Sequence, residues 1–514
     1  MNRAAIFLLG LLGASGMCAK ESPVTFTKDI APILFKNCAA CHHPGEVAPF
    51  SLLSYDDAAK RAKTIARVTR TRYMPPFKAE PGAGEFRDIC RLNDDEIAAI
   101  QSWTDAGTPE GDPKNLPAAP VFSDTWKLGK PDVIVTMPQA FTIPAEGKDI
   151  YQCFVLPASI TENQYLVAYE FRPGNRKVVH HSIISYDNTG EAQKKDDADA
   201  GVGFRANGTG TGLKAGFKNV LGIWTPGVVP TFLPDGIGLN ISKNSVIVLQ
   251  NHYHPSGKPE TDQSSVGLYF SKAPVTQLAH YTTLFQNKIA IQPGDAHYSV
   301  TAQQNAGSGR VVAVTPHMHL LGDEMKLTAT APDGTVRPMI WIKNWDFNWQ
   351  HQYFYKTPFV IEKGTRVDLV ATFNNSAENP KNPNSPPKLV KFGENTTDEM
   401  AGVIFLVVDN APASSAAAAK RPAVKVDPKL LQRYTGSFTL EVPTTLEITQ
   451  ESGTLRAKVS GKNETVDLIA TSETEFMTVN PQAKLTFLKD ENGEFARFTL
   501  LVDGKSHTGT RTKK

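Results

Sequence analysis

The sequence predicts a mainly β chain in four folded parts: a small all-α domain over 22–112, antiparallel β-sandwiches over 121–285 and 286–410, and a small C-terminal β-domain over 426–514. Three observations predict it. Turn-rich composition breaks the chain at 107–120, and a low-complexity linker breaks it again at 411–425. The first block carries a helix-capping signature, with Asn93 as cap and Glu96 at its third position. The later blocks read as short apolar strands punctuated by Gly and Pro, such as 245–252, 310–315 and 400–408.

With 514 residues, 40% hydrophobic and 21% charged, the chain has the composition of an ordinary globular protein and the length of three or four domains. Its 54 basic and 52 acidic residues leave a formal charge of +2, so it lacks the basic surplus that a nucleic-acid partner would exploit. Nucleic acid is therefore discounted.

Residues 1–19 read as a signal peptide: Arg3, an apolar run over 4–12, then the small residues Gly13, Ala14, Ser15 and Gly16. The run is too short to span a bilayer. A periplasmic or otherwise exported protein is expected, with no transmembrane segment once the signal is removed. Cys18 offers a lipoprotein anchor, although Met17 stands where a smaller residue is usual.

In the block 22–112, Leu92 and Ile97 flank the capped helix as a hydrophobic staple, and Ile97, Ile100 and Trp103 form its buried stripe. Cys38-Ala39-Ala40-Cys41-His42 is the C-x-x-C-H string whose two thiols attach a c-type haem and whose histidine ligates its iron. A helix over 28–36 leads into it. Met74, in Tyr73-Met74-Pro75-Pro76, is the candidate for the opposite axial ligand, since a thioether raises the reduction potential. The segment resembles small class I cytochromes c. His43 is read as a solvated neighbour. Two cysteines remain, Cys90 and Cys153, which an oxidising compartment leaves open to pairing or to two free thiols.

The block 121–410 is large for one sandwich and is divided near residue 285. Six of the chain's twelve histidines fall there in three pairs: His180-His181, His252-x-His254 and His317-x-His319. The strand period of two points both rings of an H-x-H pair to one face, where they can share an ion. Adjacent strand residues point oppositely, so His180 and His181 serve one ion only where their strand ends, twists or bulges. Imidazole suits copper, zinc, iron and nickel, and a thioether favours Cu(I).

The strings Val179-His180-His181, Leu249-Gln250-Asn251-His252-Tyr253, His317-Met318-His319-Leu320-Leu321-Gly322 and Thr397-Asp398-Glu399-Met400 resemble, in content, order and spacing, those of the copper type II, ascorbate-dependent monooxygenases. That family includes peptidylglycine α-hydroxylating monooxygenase and dopamine β-monooxygenase. The resemblance implies two sandwich domains, each with one copper across a solvent-filled cleft. It implies an electron-transfer copper on His180, His181 and His252, and an oxygen-reacting copper on His317, His319 and Met400, the catalytic group. His254 is left as a strand-end neighbour. Implied partners are O2, a small-molecule or peptide substrate, and an external donor that is either an ascorbate-like reductant or a redox protein.

The pattern departs from the peptidylglycine enzymes where they bind the peptide carboxylate through Arg, Asn and Tyr; here those positions are Thr315, Gly402 and Ile404. Peptide amidation is not supported and the substrate is open. The disulfide framework of the animal enzymes is also missing. The sequence thus points to a copper-dependent oxidoreductase whose electrons arrive through the fused haem. The alternative is a non-catalytic haem and copper protein that transfers electrons or binds copper.

Three features are read without chemistry. The glycine-rich stretch 207–212 is a surface loop. The aromatic run Trp341, Trp345, Phe347, Trp349, Tyr353, Phe354 and Tyr355 is read as packing. The block 426–514 resembles the small β-domain appended to some β-lactamase-like serine hydrolases and is read as an accessory domain.

Overall fold

The computed structural model describes residues 23–122, 125–206, 211–409 and 426–512, apart from 442–443, 452, 461–464, 471, 479–482, 492 and 503–504. The expected signal peptide with Cys18, the linker 411–425 and residues 207–210 of the glycine-rich stretch lie outside the described residues. Contacts divide the chain into two units, Met1–Pro76 with Cys90–Phe122, and Phe77–Ile89 with Ser123–Lys514.

The first unit is helical. A π-helical turn, Phe26–Ile30, runs into the helix Ala31–Asn37; Tyr55–Ala59, Ala62–Arg70 and Asp94–Asp105 follow. The last is capped as expected: Asn93 Oδ1 accepts from Glu96 N at 2.8 Å, and Glu96 Oε2 accepts from Asn93 N at 2.9 Å. Ile100 and Trp103 are fully buried with Phe26, Ile30 and Leu34, and Leu92 and Ile97 pack on the same cluster.

The expected block 22–112 is interrupted. Residues 77–89 belong to the second unit, where Ala79 bridges Ile342 and Phe86 bridges Tyr355, and both side chains are buried. Backbone groups of two strand edges are satisfied in this way, from Glu80 N to Trp341 O and from Arg87 N to Phe354 O.

The second unit is mainly β. Its eight-stranded sheet runs Val133–Thr136, Ser265–Phe270, Gln164–Arg172, Ile237–Ile241, Gln277–Gln286, Ala401–Asp409, Gly309–Met318, Tyr353–Ile361. A five-stranded sheet (Phe204–Arg205, Ile150–Pro157, Val246–Tyr253, Val179–Asp187, Val220–Trp224) shares one buried core with it, containing Phe154, Ile184, Leu249, Leu268 and Ile404. A four-stranded sheet (Tyr298–Asn305, Arg366–Phe373, Gly322–Thr330, Val336–Ile342) shares a second core, containing Val314, Met325, Leu369 and Val403. The division drawn near 285 falls at the end of Gln277–Gln286. That strand pairs with Ile237–Ile241 on one side and Ala401–Asp409 on the other, so one continuous sheet spans both expected sandwiches. Gly402 makes this junction possible: a Cβ there would lie 2.1 Å from the Phe285 ring.

Strands from Gly436–Leu440 to Lys505–Arg511 close into an eight-stranded barrel preceded by the helix Pro428–Tyr434. Its interior is filled by Tyr434, Phe438, Phe476, Phe487, Phe495 and Phe498, each almost fully buried. Among the described residues, no helix is long and apolar enough to cross a membrane.

Candidate metal centres

His180, His181 and His252 converge. The pairing of Val179–Asp187 with Val246–Tyr253 aligns Val179 with Tyr253 and then His181 with His252, so the register slips by one at His180. This bulge is what two adjacent histidines need in order to face one point. His181 Nδ1 lies 3.3 Å from His180 Nδ1 and 3.2 Å from His252 Nδ1. The three rings offer ligand atoms all within 4.8 Å of one another. Burial holds His180 and His181 well below the usual histidine pKa, and the neighbouring imidazoles depress them further. Burial likewise lowers His252, against the pull of Asp149. Three neutral nitrogens facing one another in a buried space have no proton arrangement that satisfies all of them, whereas one cation does.

The outer nitrogen of His252 biases its tautomer. Its Nε2 lies 3.3 Å from Asp149 Oδ2 without hydrogen-bond geometry; the nearby negative charge favours the proton on Nε2, which leaves the Nδ1 lone pair toward His181. Asp149 Oδ1 takes His254 Nδ1 at 2.7 Å. His254 is therefore a partner of Asp149, largely exposed and outside the three-ring cluster. Burial opposes ionisation of Asp149, but bonds from His252, His254 and Thr396 outweigh it and hold its carboxyl well below the usual range.

His317 and His319 form a second group, their rings 5.1 Å apart and nearly perpendicular. Here the opposite nitrogen faces outward. Gln350 Nε2 donates to Phe347 O, so Gln350 Oε1 is left to accept from His317 Nδ1 at 2.5 Å. His319 Nδ1 donates to the Asp398 carbonyl at 3.1 Å. Both rings thus keep an Nε2 lone pair. Burial lowers their pKa values to about 4 and about 3.

Met400, 3% exposed, stands one residue before Ala401, which pairs with Met318 between the two histidines. Glu399 clamps this junction: its carboxylate accepts from the backbone N–H of His319 at 3.0 Å, Leu321 at 2.6 Å and Met400 at 3.2 Å. Burial nonetheless pushes its pKa up to about 8.

Some participants carry no signal in the sequence. Phe347, read there as packing, stacks on His180 at 4.5 Å between ring centroids and meets His319 edge-on at 5.9 Å. The same loop sends Trp345 Nε1 to His319 O at 3.0 Å and receives Thr225 Oγ1 on Gln350 O at 3.1 Å. An aromatic ring thus touches both histidine groups where the resemblance implies a solvent-filled cleft. Tyr151 stacks on His252 at 4.2 Å and donates its hydroxyl to Glu394 O at 2.8 Å. Trp345, Tyr353 and Tyr355 of the aromatic run do lie in the core.

In the first unit, Cys41 N and His42 N both bond to Cys38 O, turning the motif back on itself. His42 Nδ1 donates to Phe50 O at 3.1 Å, so its Nε2 keeps a lone pair, while burial lowers its pKa. Met74 is half-buried, just past the helix Ala62–Arg70. His43 bonds Ala39 O through Nδ1 and stacks on Phe122 at 3.8 Å.

The Cys90–Cys153 pairing left open by the sequence is not made: Cys38, Cys41, Cys90 and Cys153 are all outside disulfides. Cys90 Sγ instead donates to Asn37 O at 3.3 Å, and its pKa is raised to about 11 by burial and by Cys41. Cys153 is buried against Thr211 O.

Fold and site define a mainly β protein with a buried three-histidine centre able to hold a metal ion. No family model matches the chain, and no curated protein sequence does. Among solved structures it is similar to the major capsid protein P2 of bacteriophage PM2, with 10% identity over 54% of this chain and 96% of that one, at a TM-score of 0.22. Infectious bursal virus derived T=1 particles match with 9% identity over 56% and 79%, at a TM-score of 0.14. A β-porphyranase of glycoside hydrolase family 86 from Bacteroides plebeius matches with 13% identity over 62% and 42%, also at 0.14. Similarity at this level assigns no activity.

Proposed function

We propose that this chain is a copper-dependent monooxygenase that hydroxylates an organic substrate with dioxygen, drawing electrons through a covalently bound c-type haem. The observation that carries the reading is the approach of His181 Nδ1 to His180 Nδ1 and His252 Nδ1, at 3.3 and 3.2 Å, with all three ligand atoms within 4.8 Å of one another. Nitrogens bound tetrahedrally to one ion at roughly 2.0–2.1 Å stand about 3.3 Å apart. The residue types of the second group support copper over zinc there, because Met400, buried and next to the residue paired with Met318 between the two histidines, would offer a thioether, which favours Cu(I).

When bound, the metals would supply one-electron chemistry and oxygen activation: one oxygen atom enters a substrate C–H bond, the other leaves as water, and two external electrons with two protons complete the balance. The residues divide the remaining work. His180, His181 and His252 present Nδ1 and His317 and His319 present Nε2, with Asp149 beside His252, Gln350 bonded to His317 and Asp398 O to His319 on their outer sides. Phe347 keeps water from the space between His180 and His319. In the first unit, which we read as a class I cytochrome c-like domain, Cys38 and Cys41 would attach the haem and His42, oriented by Phe50 O, would ligate its iron, with Met74 as the candidate for a second ligand. Thr315, Gly402 and Ile404 do not match the carboxylate-binding residues of the peptidylglycine enzymes, so peptide amidation is not supported and the substrate class stays open.

Metal analysis of full-length protein, expressed with export and haem maturation, tests the reading. Two coppers and one iron per chain are expected. Iron without copper, or zinc retained at both centres, would overturn it.

A further inference from the structure

We propose that Asp149 is a shared positioning residue that ties the two metal centres together, so that a single carboxylate in the first half of the unit sets the metal affinity of both. The inference rests on the copper reading above and deepens it.

Three donors bond this carboxylate, and one histidine ring nitrogen stands within ion-pair distance of it. His252 Nε2 stands 3.3 Å from Oδ2, His254 Nδ1 donates to Oδ1 at 2.7 Å, Thr396 N donates to Oδ2 at 3.3 Å, and Thr396 Oγ1 makes a short bond to the same oxygen. Two of these groups belong to the strand end that carries a ligand of the first centre. The other two belong to the loop that leads into Met400. Only an acceptor-only group with two oxygens satisfies such a set. An amide in its place would turn an N–H toward one of the donors.

The loop is stiff enough to pass a displacement on. Asn395 binds Asp398 Oδ2 through its backbone N–H at 3.1 Å and its side chain at 2.7 Å. Asp398 O in turn orients His319, and Glu399 fastens His319, Leu321 and Met400 to one carboxylate. Tyr151, two residues beyond Asp149, adds a parallel tie from the face of His252 to Glu394 O. Moving Asp149 therefore turns the His252 ring at one end and shifts the Thr396–Met400 segment at the other. Outer partners of metal ligands typically govern affinity by about 10–100-fold. Here one such partner serves two ions, and by linkage filling either centre favours filling of the other.

The test uses full-length protein reduced to one centre at a time, titrated anaerobically with copper(I) against a chromophoric chelator. Met400→Ala reports the three-histidine centre, and His180→Ala with His181→Ala reports the other. Adding Asp149→Asn to each background is expected to weaken copper binding about 10–100-fold in both. Thr396→Val is expected to weaken only the second centre, and Asp149→Glu to recover part of each loss. Should Asp149→Asn fail to fold, Thr396→Val decides alone, because it leaves Asp149 and both its histidines in place. The proposal is overturned if Asp149→Asn weakens the three-histidine centre only, or if Thr396→Val changes neither. Failure of both parent backgrounds to take up copper is a separate result, which removes the copper reading and this inference with it.

Discussion

The ring of Phe347 lies almost parallel to that of His180, 14° apart in plane and 4.5 Å between centroids, while its edge meets His319. The spacing of the two histidine groups therefore depends on a side chain that ligates nothing. Such a ring contact is worth about 0.5–1.5 kcal/mol beyond buried area. Phe347→Ala should admit water beside His180 and lower copper affinity at the first centre by up to about tenfold, a change that Phe347→Tyr largely avoids. Chelator competition measures it. Equal affinity in Phe347→Ala and wild type would show that the ring is only packing.

Acid should destabilise the metal-free protein. Burial lowers His351 and His317 to about 4 and His319 to about 3. In the unfolded chain each takes up a proton near pH 6.5. Between that pH and about 4 the unfolded state binds more protons, so stability rises with pH there and is lost as the pH falls. The slope approaches ~1.4 kcal/mol per pH unit for each histidine. Melting of metal-free protein at pH 7, 6 and 5 should shift steadily downward, and copper should oppose the shift because it competes for the same lone pairs. A flat profile would contradict the assigned burial.

Gly402→Ala should destabilise by about 1–3 kcal/mol through overpacking, because the new Cβ would meet the Phe285 ring at 2.1 Å. Adding Phe285→Leu should recover much of the loss, since the two changes share one space. Chemical denaturation of the two single variants and the double variant checks the coupling; strictly additive losses would contradict it.

The haem assignment is checked by denaturing the chain in acid. Colour should stay with wild-type polypeptide and be lost from a Cys38→Ala, Cys41→Ala double variant. Reduced haem should then reoxidise faster when copper, oxygen and substrate are present together than when copper is omitted. No acceleration would leave the haem in place but end its role as donor.

The mainly β character and the capped helix after Asn93 were legible because strand alternation, turn residues and caps are local signals. Histidine pairing pointed to the first centre, and the condition that His180 and His181 need a bulge is met by the slip at His180. Asp149, Tyr151 and Gln350 were not legible. Each is a single polar residue in unremarkable surroundings, made significant only by pairing with residues far along the chain. Phe347 was hidden for a different reason, since six other aromatic residues lie within a few positions of it and three of them do form core. Residues 77–89 look like a continuation of the first block because an edge-pairing segment has no periodicity of its own.

The most direct test of the central claim is oxygen consumption by copper-loaded protein with ascorbate and a panel of organic substrates, wild type against Met400→Ala. The account predicts product-coupled consumption by wild type and its loss in the variant, with copper still held by His180, His181 and His252. Undiminished coupled turnover in Met400→Ala, or none in fully copper-loaded wild type, would contradict it.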